Sequence, residues 1–403
     1  MSSVVNPPRG MRDFLPQAKQ MRERTLAMIR EQYAQYGYQE IETPVVEDLS
    51  RLTSSDGGEN EKLIFRILRR NLEDVTDLSE LADLGLRFDL TVPLARFYAT
   101  NRAKLPAVFR SIQIGSVWRA ERPQKGRFRQ FTQCDLDVIG ESSVLAEMEL
   151  ITATLRTLNA LGLRGCTVRL NDRRALVAML GACGFPVDTH PRVLITVDKL
   201  DKIGLDGVER ELDAAGHSRT TVEALLERLK EPGIVPDGPV EDITAIADAV
   251  TAVAGPGSVR LDATLVRGMG YYTGPIFEIE HPGSSSSIAG GGRYDGMIGR
   301  FADQDVPACG FSIGFERIVD LIQAQQPRER SRTALIHSAD IPPAQLLLLQ
   351  DAYIATGREV RLVRAAKRLA RQLEVLRQEG LNEFVVVDVT TSGADESAIR
   401  TIT

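Results

Sequence analysis

Residues 109–139 constrain the chain more than any other stretch. From 109 to 121 the side chains alternate with period two, Ile112, Ile114 and Trp118 on one face and Gln113, Val117, Arg119 and Glu121 on the other. That is the pattern of a strand, not of a helix. Pro123, Lys125 and Gly126 supply turn residues, and residues 128–139 return without a helical stripe, with Gln133, Asp135 and Asp137 at alternate positions. Two antiparallel strands joined by a short loop are therefore expected, with Arg119 and Glu121 on one arm and three acceptors on the other. A guanidinium suits a phosphate, and carboxylates suit an ammonium group. The loop adds Arg122, Lys125, Arg127 and Arg129. Alone, such a basic hairpin is more often a solvated surface, so its chemistry has to be supported from elsewhere in the chain.

Three further segments supply that support. Residues 86–93, LRFDLTVP, place Arg87, Asp89 and Thr91 in a strand-like run just before a proline; by itself this reads as a strand end. In residues 265–278, LVRGMGYYTGPIFE, Arg267 stands between an apolar strand and a turn whose Gly268 and Gly270 let the backbone bend or approach a ligand. Paired tyrosines such as Tyr271 and Tyr272 are more often packing residues, but the adjoining arginine and glycines favour a site. Residues 289–317 run from AGGGRYDG to CGFSIGFER. Three successive glycines, 290 to 292, make sense in a strand if something packs flat on the backbone. Residues 310–314 read as another strand entering a helix at Phe315. Arg317 then falls in the first helical turn, where a cation gains nothing from the helix dipole and needs an anion nearby; phosphate is the obvious one.

Together these segments resemble the class II aminoacyl-tRNA synthetases, and among them the histidyl-tRNA synthetase family. The family's motif 1 corresponds to residues 17–44, ending at Pro44, and the motif 2 hairpin to residues 107–140. Motif 3 corresponds to residues 309–322, with Gly314, Glu316 and Arg317. The histidine-specific stretches stand at 267–274 (RGMGYYTG) and 290–296 (GGGRYDG), and PRGMRDFLP at 8–16 is similar to the family's opening. The resemblance runs from Pro8 to Asp388, and several motifs in the right order are far more specific than any one.

The resemblance implies an α+β fold: an antiparallel-sheet catalytic domain with a helical insertion, followed by a small C-terminal α/β domain. It implies activation of L-histidine with ATP and Mg2+ and transfer to tRNA(His) by a homodimer. Arg119 and Arg267 would then contact the α-phosphate, Arg127 and Arg317 the β- and γ-phosphates, and Glu121 the adenine amino group. Asp89, Gln133 and Asp137 would receive the histidine ammonium with Thr91 beside them, Tyr272 and Tyr294 would line the imidazole pocket, and Gln124 would sense the tRNA acceptor end. No protein-held metal is implied. Two alternatives stay open: a histidine-sensing regulatory relative of ATP phosphoribosyltransferase, and an enzyme that makes histidyl-adenylate for an acceptor other than tRNA.

The rest of the chain is compatible with this. At 403 residues it expects two or three domains, and its net charge of −6 argues against a generic nucleic-acid coat without excluding a local basic surface. Cys134, Cys166, Cys183 and Cys309 show neither a disulfide framework nor zinc spacing, and the four histidines form no metal motif. With no apolar leader or long uncharged run, a cytoplasmic protein with no membrane association is expected. Residues 18–37 read as an amphipathic helix with Met21, Leu26, Met28, Ile29 and Tyr33 as core, feeding a strand at 38–43; the resemblance also puts a dimer interface here. Residues 141–161 read as a second helix. Residues 171–255 mix short helices with breaks at Gly181, Pro186, Pro232 and Pro236 and read as the insertion, which in the resembling family touches the acceptor arm.

A polar linker at 323–332 separates a domain of residues 1–325 from one of residues 326–403. In the latter, strands at 333–337, 359–363 and 383–388 alternate with helices at 343–356 and 365–379, the pattern of βαβ crossovers and a parallel sheet. Arg358, Arg361, Arg364, Lys367, Arg368, Arg371 and Arg377 outnumber the acids there. A solvated helix face is the plain explanation; the resemblance favours anticodon-stem binding.

Overall fold

The computed structural model describes residues 5–53, 60–70, 81–123, 127–230, 240–267, 271–302, 304–323 and 331–402. Helix α1 (Pro16–Ala34) starts on a proline, whose missing N–H is one the first turn leaves unpaired in any case, and it buries Leu26, Ile29 and Tyr33. Met28, expected in the core, is 37% exposed; it lies roughly 200° round the helix from Leu26. Gly37, at φ +78°, turns the chain into β1 (Gln39–Ile41).

A small antiparallel sheet follows, in the order β2-β4-β3, from β2 (Val46–Asp48), β3 (Arg66–Leu68) and β4 (Ala82–Leu86), with helix α2 (Leu49–Thr53) after β2. The strand run expected through residue 93 is corrected here: β4 stops at Leu86 and helix α3 (Thr91–Asn101) begins five residues on. Pro93 sits in that helix's first turn, where a proline is tolerated, so it opens a helix instead of closing a strand. Asp89 Oδ1 accepts the N–H of Val92 at 3.2 Å, satisfying one of the free donors of the turn.

The main sheet has eight strands in the order β1-β5-β6-β11-β10-β9-β7-β8. Its second and third strands are the anticipated hairpin, β5 (Phe109–Trp118) and β6 (Gln130–Ile139), antiparallel from Phe109↔Ile139 to Trp118↔Gln130. Helix α4 (Leu145–Ala160) leads to β7 (Thr167–Asp172) and helices α5 (Arg173–Ala182), α6 (His190–Val197), α7 (Leu200–Ala214), α8 (Arg219–Leu229) and α9 (Val240–Ala254). The chain re-enters the sheet through β8 (Val259–Leu261), β9 (Pro275–Glu280) and β10 (Ala289–Arg293). Helix α10 (Asp295–Gly299), β11 (Ala308–Ile313) and α11 (Phe315–Gln323) complete it. The six central strands are antiparallel, while β1 and β8 join the two edges in parallel.

Period-two alternation divides the sheet chemically. Ile112, Leu136, Val138, Phe311 and Ile313 face a core shared with Leu150 and Ile151 of α4 and Phe315 of α11; the opposite face carries the polar residues of the candidate site. Helix α9, at the end of the stretch read as an insertion, also contributes Ile243, Ile246 and Val250 to this sheet core, whereas Leu194, Val208 and Leu225 of α6 to α8 pack in a second core.

Compact units comprise residues 1–325 and 326–403. In the second, β12 (Arg332–His337), α12 (Pro343–Ile354), β13 (Glu359–Arg364), α13 (Leu369–Gln378), β14 (Glu383–Val387) and β15 (Arg400–Thr401) form a sheet in the order β13-β12-β14-β15. β12 pairs in parallel with β13 and β14, and β15 adds an antiparallel edge that its two residues did not signal.

Candidate active site

A cavity of about 700 Å³ opens on the polar face of the main sheet. It gathers Arg119, Glu121 and Arg127 from the hairpin, Asp89 and Thr91 at the start of α3, and Gln133 and Asp137 from β6. Arg267, Tyr272, Tyr294 and Arg317 line it as well. Every candidate site residue is therefore in one place except Gln124, which with Gly268 and Gly270 lies outside the described residues.

One end of the cavity is acidic and buried. Gln133, Asp135 and Asp137 project from alternate positions of β6 and are each at most 9% exposed. Asp135 accepts from Ser312 Oγ at 2.6 Å and from Gln133 Nε2 at 3.3 Å. Burial pushes its carboxyl up to about 7, with the neighbouring Asp89 adding to the rise and the hydrogen bonds of Ser312 and Gln133 opposing it. Asp137 is also held well above the usual carboxylate range, first by burial and then by Asp135, although Tyr294 donates its hydroxyl to Oδ1. Gln133 Oε1 is buried with no hydrogen-bond partner. Buried acceptors in excess of donors are what a bound ammonium would satisfy. Asp135 lay in the same alternation as Gln133 and Asp137 but was not among the candidate ligands; the period-two pattern was the signal that could have found it.

The other end is basic. Arg267 does not follow a strand, since β8 stops at Leu261 and residues 265–267 are unpaired with any strand. Its Nη1 donates to Glu278 Oε1 at 2.8 Å, while Nε is buried with no partner. The glycine at 290 is explained by this arginine: a Cβ there would stand 1.7 Å from Arg267 Nη1. What packs flat on the strand is thus the guanidinium. Its neighbour Gly291 is required for another reason, because a Cβ would meet the Gly310 carbonyl oxygen at 2.0 Å across β10 and β11.

Arg317 lies in the first turn of α11 and donates to the Ser287 carbonyl. Burial lowers its hold on its proton, and the nearby charges of Arg127 and Arg267 lower it further. Three guanidiniums crowd one end of one cavity, an arrangement an anion relieves. Arg119 is fixed between them and the acidic end by its backbone N–H to Arg129 O at 2.8 Å, its Nε to Phe88 O at 3.1 Å and its cation over the Phe131 ring at 5.1 Å. Glu121 forms an ion pair with Arg127 at 3.6 Å.

The scaffold under these groups is ionic and was not foreseen. Arg22 of α1 forks onto Glu316, Nη1 to Oε2 at 2.7 Å and Nη2 to Oε1 at 2.8 Å, and Arg12 pairs with the same carboxylate. Arg293 forks onto Glu147 of α4 at 2.7 Å through both Nε and Nη2. Buried bidentate pairs of this kind fix orientation, and partners 146 to 304 residues apart leave no local pattern in sequence.

Comparison with known proteins carries the argument further. Residues 10–318 match the family described as histidyl-tRNA synthetase. The chain is 51% identical to the histidine–tRNA ligase of Leifsonia xyli subsp. xyli, over 97% of each chain. Its structure is similar to that of a histidyl-tRNA synthetase from Nostoc sp. PCC 7120, with a TM-score of 0.79 and 26% identity, covering 98% of this chain and 92% of that one. A Bacillus halodurans structure described as an ATP phosphoribosyltransferase regulatory subunit/histidyl-tRNA synthetase shares the fold, with a TM-score of 0.76 at 20% identity over 96% of this chain and 98% of the other.

Proposed function

Because the chain belongs to the histidyl-tRNA synthetase family, we infer that it activates L-histidine with ATP and transfers the histidyl group to tRNA(His). The observation that carries this reading is the polarity of the cavity: buried acceptors at one end, three crowded arginines at the other, and Arg119 between. In the first step a histidine carboxylate oxygen bonds to the α-phosphorus of ATP, the bond to the bridging oxygen breaks, and pyrophosphate leaves. Both reactants are anions, so the enzyme's contribution is neutralisation and alignment.

In this reading Arg119 and Arg267 neutralise the α-phosphate, Arg127 and Arg317 hold the β- and γ-phosphates, and Glu121 accepts from the adenine amino group. Asp89, Gln133 and Asp137 receive the ammonium beside Thr91, and Tyr272 and Tyr294 enclose the imidazole. The second step passes the acyl group to a hydroxyl of the terminal tRNA ribose and releases AMP; Gln124 is assigned to the acceptor end. The C-terminal unit, with exposed Arg364, Lys367, Arg368 and Arg371, is assigned to the anticodon stem.

Among the described residues no group of three or more His, Cys, Asp or Glu side chains could hold a metal ion. In this reading Mg2+ would enter with the triphosphate and supply further charge neutralisation there. No described helix is long and apolar enough to cross a membrane. A homodimer in the cytoplasm is our reading, from the likeness to the histidyl-tRNA synthetase family.

Amino-acid-dependent exchange of pyrophosphate into ATP, run over all the common amino acids, tests the first step. Exchange with histidine alone is the expected result. No exchange with histidine would point to the regulatory relative, whose case rests on the fold likeness at 20% identity.

A further inference from the structure

The opening motif, residues 8–16, has no part in the reading above, yet it sits against the catalytic parts. Gly10 holds a left-handed φ of +85°, and its carbonyl accepts the N–H of Arg129 at 2.8 Å. A Cβ on Gly10 would press to 2.9 Å from Arg129 Cγ, so the segment lies directly on the arm of the hairpin that follows the loop. Two residues later, Arg12 stacks its guanidinium over the ring of Phe128, 3.4 Å from the centroid, and gives Nη2 to Glu316. Phe128 follows Arg127 and lines the cavity; Glu316 precedes Arg317.

From this we propose that Arg12 is a positioning residue for ATP, clamping the base of the hairpin loop to the first turn of α11 so that Arg127 and Arg317 face the same phosphates. The proposal rests on the assignment of those two arginines to the triphosphate. The division of labour at Glu316 supports it. Arg22 already neutralises that carboxylate through both oxygens, and the N–H of Thr132 donates to Oε1 at 3.2 Å, so Glu316 is held without Arg12. Arg22 makes no stack on Phe128; its cation lies over Phe14 at 4.0 Å and Phe315 at 4.8 Å. Arg12, by contrast, reaches both Phe128 at the loop base and Glu316 of α11. Its side chain is 30% exposed, so its loss leaves no buried cavity. Its partners Phe128 and Glu316 are the chain neighbours of the phosphate arginines Arg127 and Arg317, so its effect should be selective for the nucleotide.

The test compares parent, Arg12→Ala, Arg12→Lys and Phe128→Leu in the full chain, by equilibrium binding of Mg-ATP and by histidine-dependent pyrophosphate exchange. Arg12→Ala should weaken ATP binding or lower kcat roughly tenfold or more, the scale of one well-formed cation–π contact with a charge-assisted hydrogen bond. The KM for histidine should stay within about twofold. Arg12→Lys, which keeps the charge but not the flat stack, should recover part of the loss, and Phe128→Leu should lose about as much alone as with Arg12→Ala. ATP binding and kcat within about twofold of the parent in Arg12→Ala would overturn the proposal. So would equal losses toward ATP and histidine, which would mark a structural role. Should Arg12→Ala fail to fold, Phe128→Leu with unchanged ATP affinity overturns it equally. If the parent binds ATP but exchanges with no amino acid, the activity is wrong while the ATP affinities still decide the role of Arg12.

Discussion

Gly290→Ala should disable the site while leaving every charge in place. The added methyl would sit 1.7 Å from Arg267 Nη1, where ordinary contact is about 3.5 Å. The guanidinium, at the far end of a flexible side chain, therefore has to move by roughly 2 Å. Gly290 has no left-handed φ and stands in β10 between β9 and β11, so the backbone accepts alanine and the fold should change by less than about 1 kcal/mol. A displacement on the order of 1 Å at a reacting centre costs about a hundredfold in rate, and kcat for histidine-dependent exchange should fall by about that factor. The histidine KM should stay within about twofold, because Asp89, Gln133 and Asp137 are untouched. The assay is exchange normalised to folded protein, with a thermal melt alongside. A variant that melts with the parent and exchanges within about threefold of it would refute the idea that Arg267 acts from the position seen here.

Removing the charge outright, in Arg267→Ala, should cost about a hundred- to a thousandfold in exchange, with circular dichroism unchanged; a loss below threefold would sink the assignment. Asp137→Asn should raise the KM for histidine more than that for ATP, and equal changes in the two would make Asp137 structural. With its carboxyl pushed up to about 7 from an ordinary 3.8, the folded chain keeps a proton on Asp135 that the unfolded chain has released, so this group's contribution to stability declines as pH rises from about 4 to about 7. An ammonium binds the ionised form, so the KM for histidine should fall between about pH 6 and 8, less steeply in Asp135→Asn; parallel profiles would refute this. A chain ended at Gln323 should still adenylate histidine but charge tRNA poorly and with a flatter salt dependence. Undiminished charging, by a protein shown to be folded by circular dichroism and light scattering, would remove the C-terminal unit from tRNA binding.

Much of the site was legible because its residues obey local periods. Gln133, Asp135 and Asp137 alternate on one strand, Arg317 falls in a helical turn, and three glycines in a strand announced a close packing partner. The partner's identity was not legible, since Arg267 approaches Gly290 across a segment with no regular structure. Pro93 was misread because the same residue closes strands and opens helices. The pairs Arg12–Glu316, Arg22–Glu316 and Arg293–Glu147 join segments far apart in the chain, and such pairings are set by tertiary packing alone. Even so, PRGMRDFLP was visible as a motif before any role could be given to it.

Charging itself is the most direct test: the full chain incubated with ATP, Mg2+, labelled histidine and total tRNA, followed by periodate oxidation of the uncharged ends. Label bound through the terminal ribose, with one tRNA species protected from periodate, is the expected result. Histidyl-adenylate that forms but leaves every tRNA end open to periodate would contradict the transfer step and make the acceptor something other than tRNA.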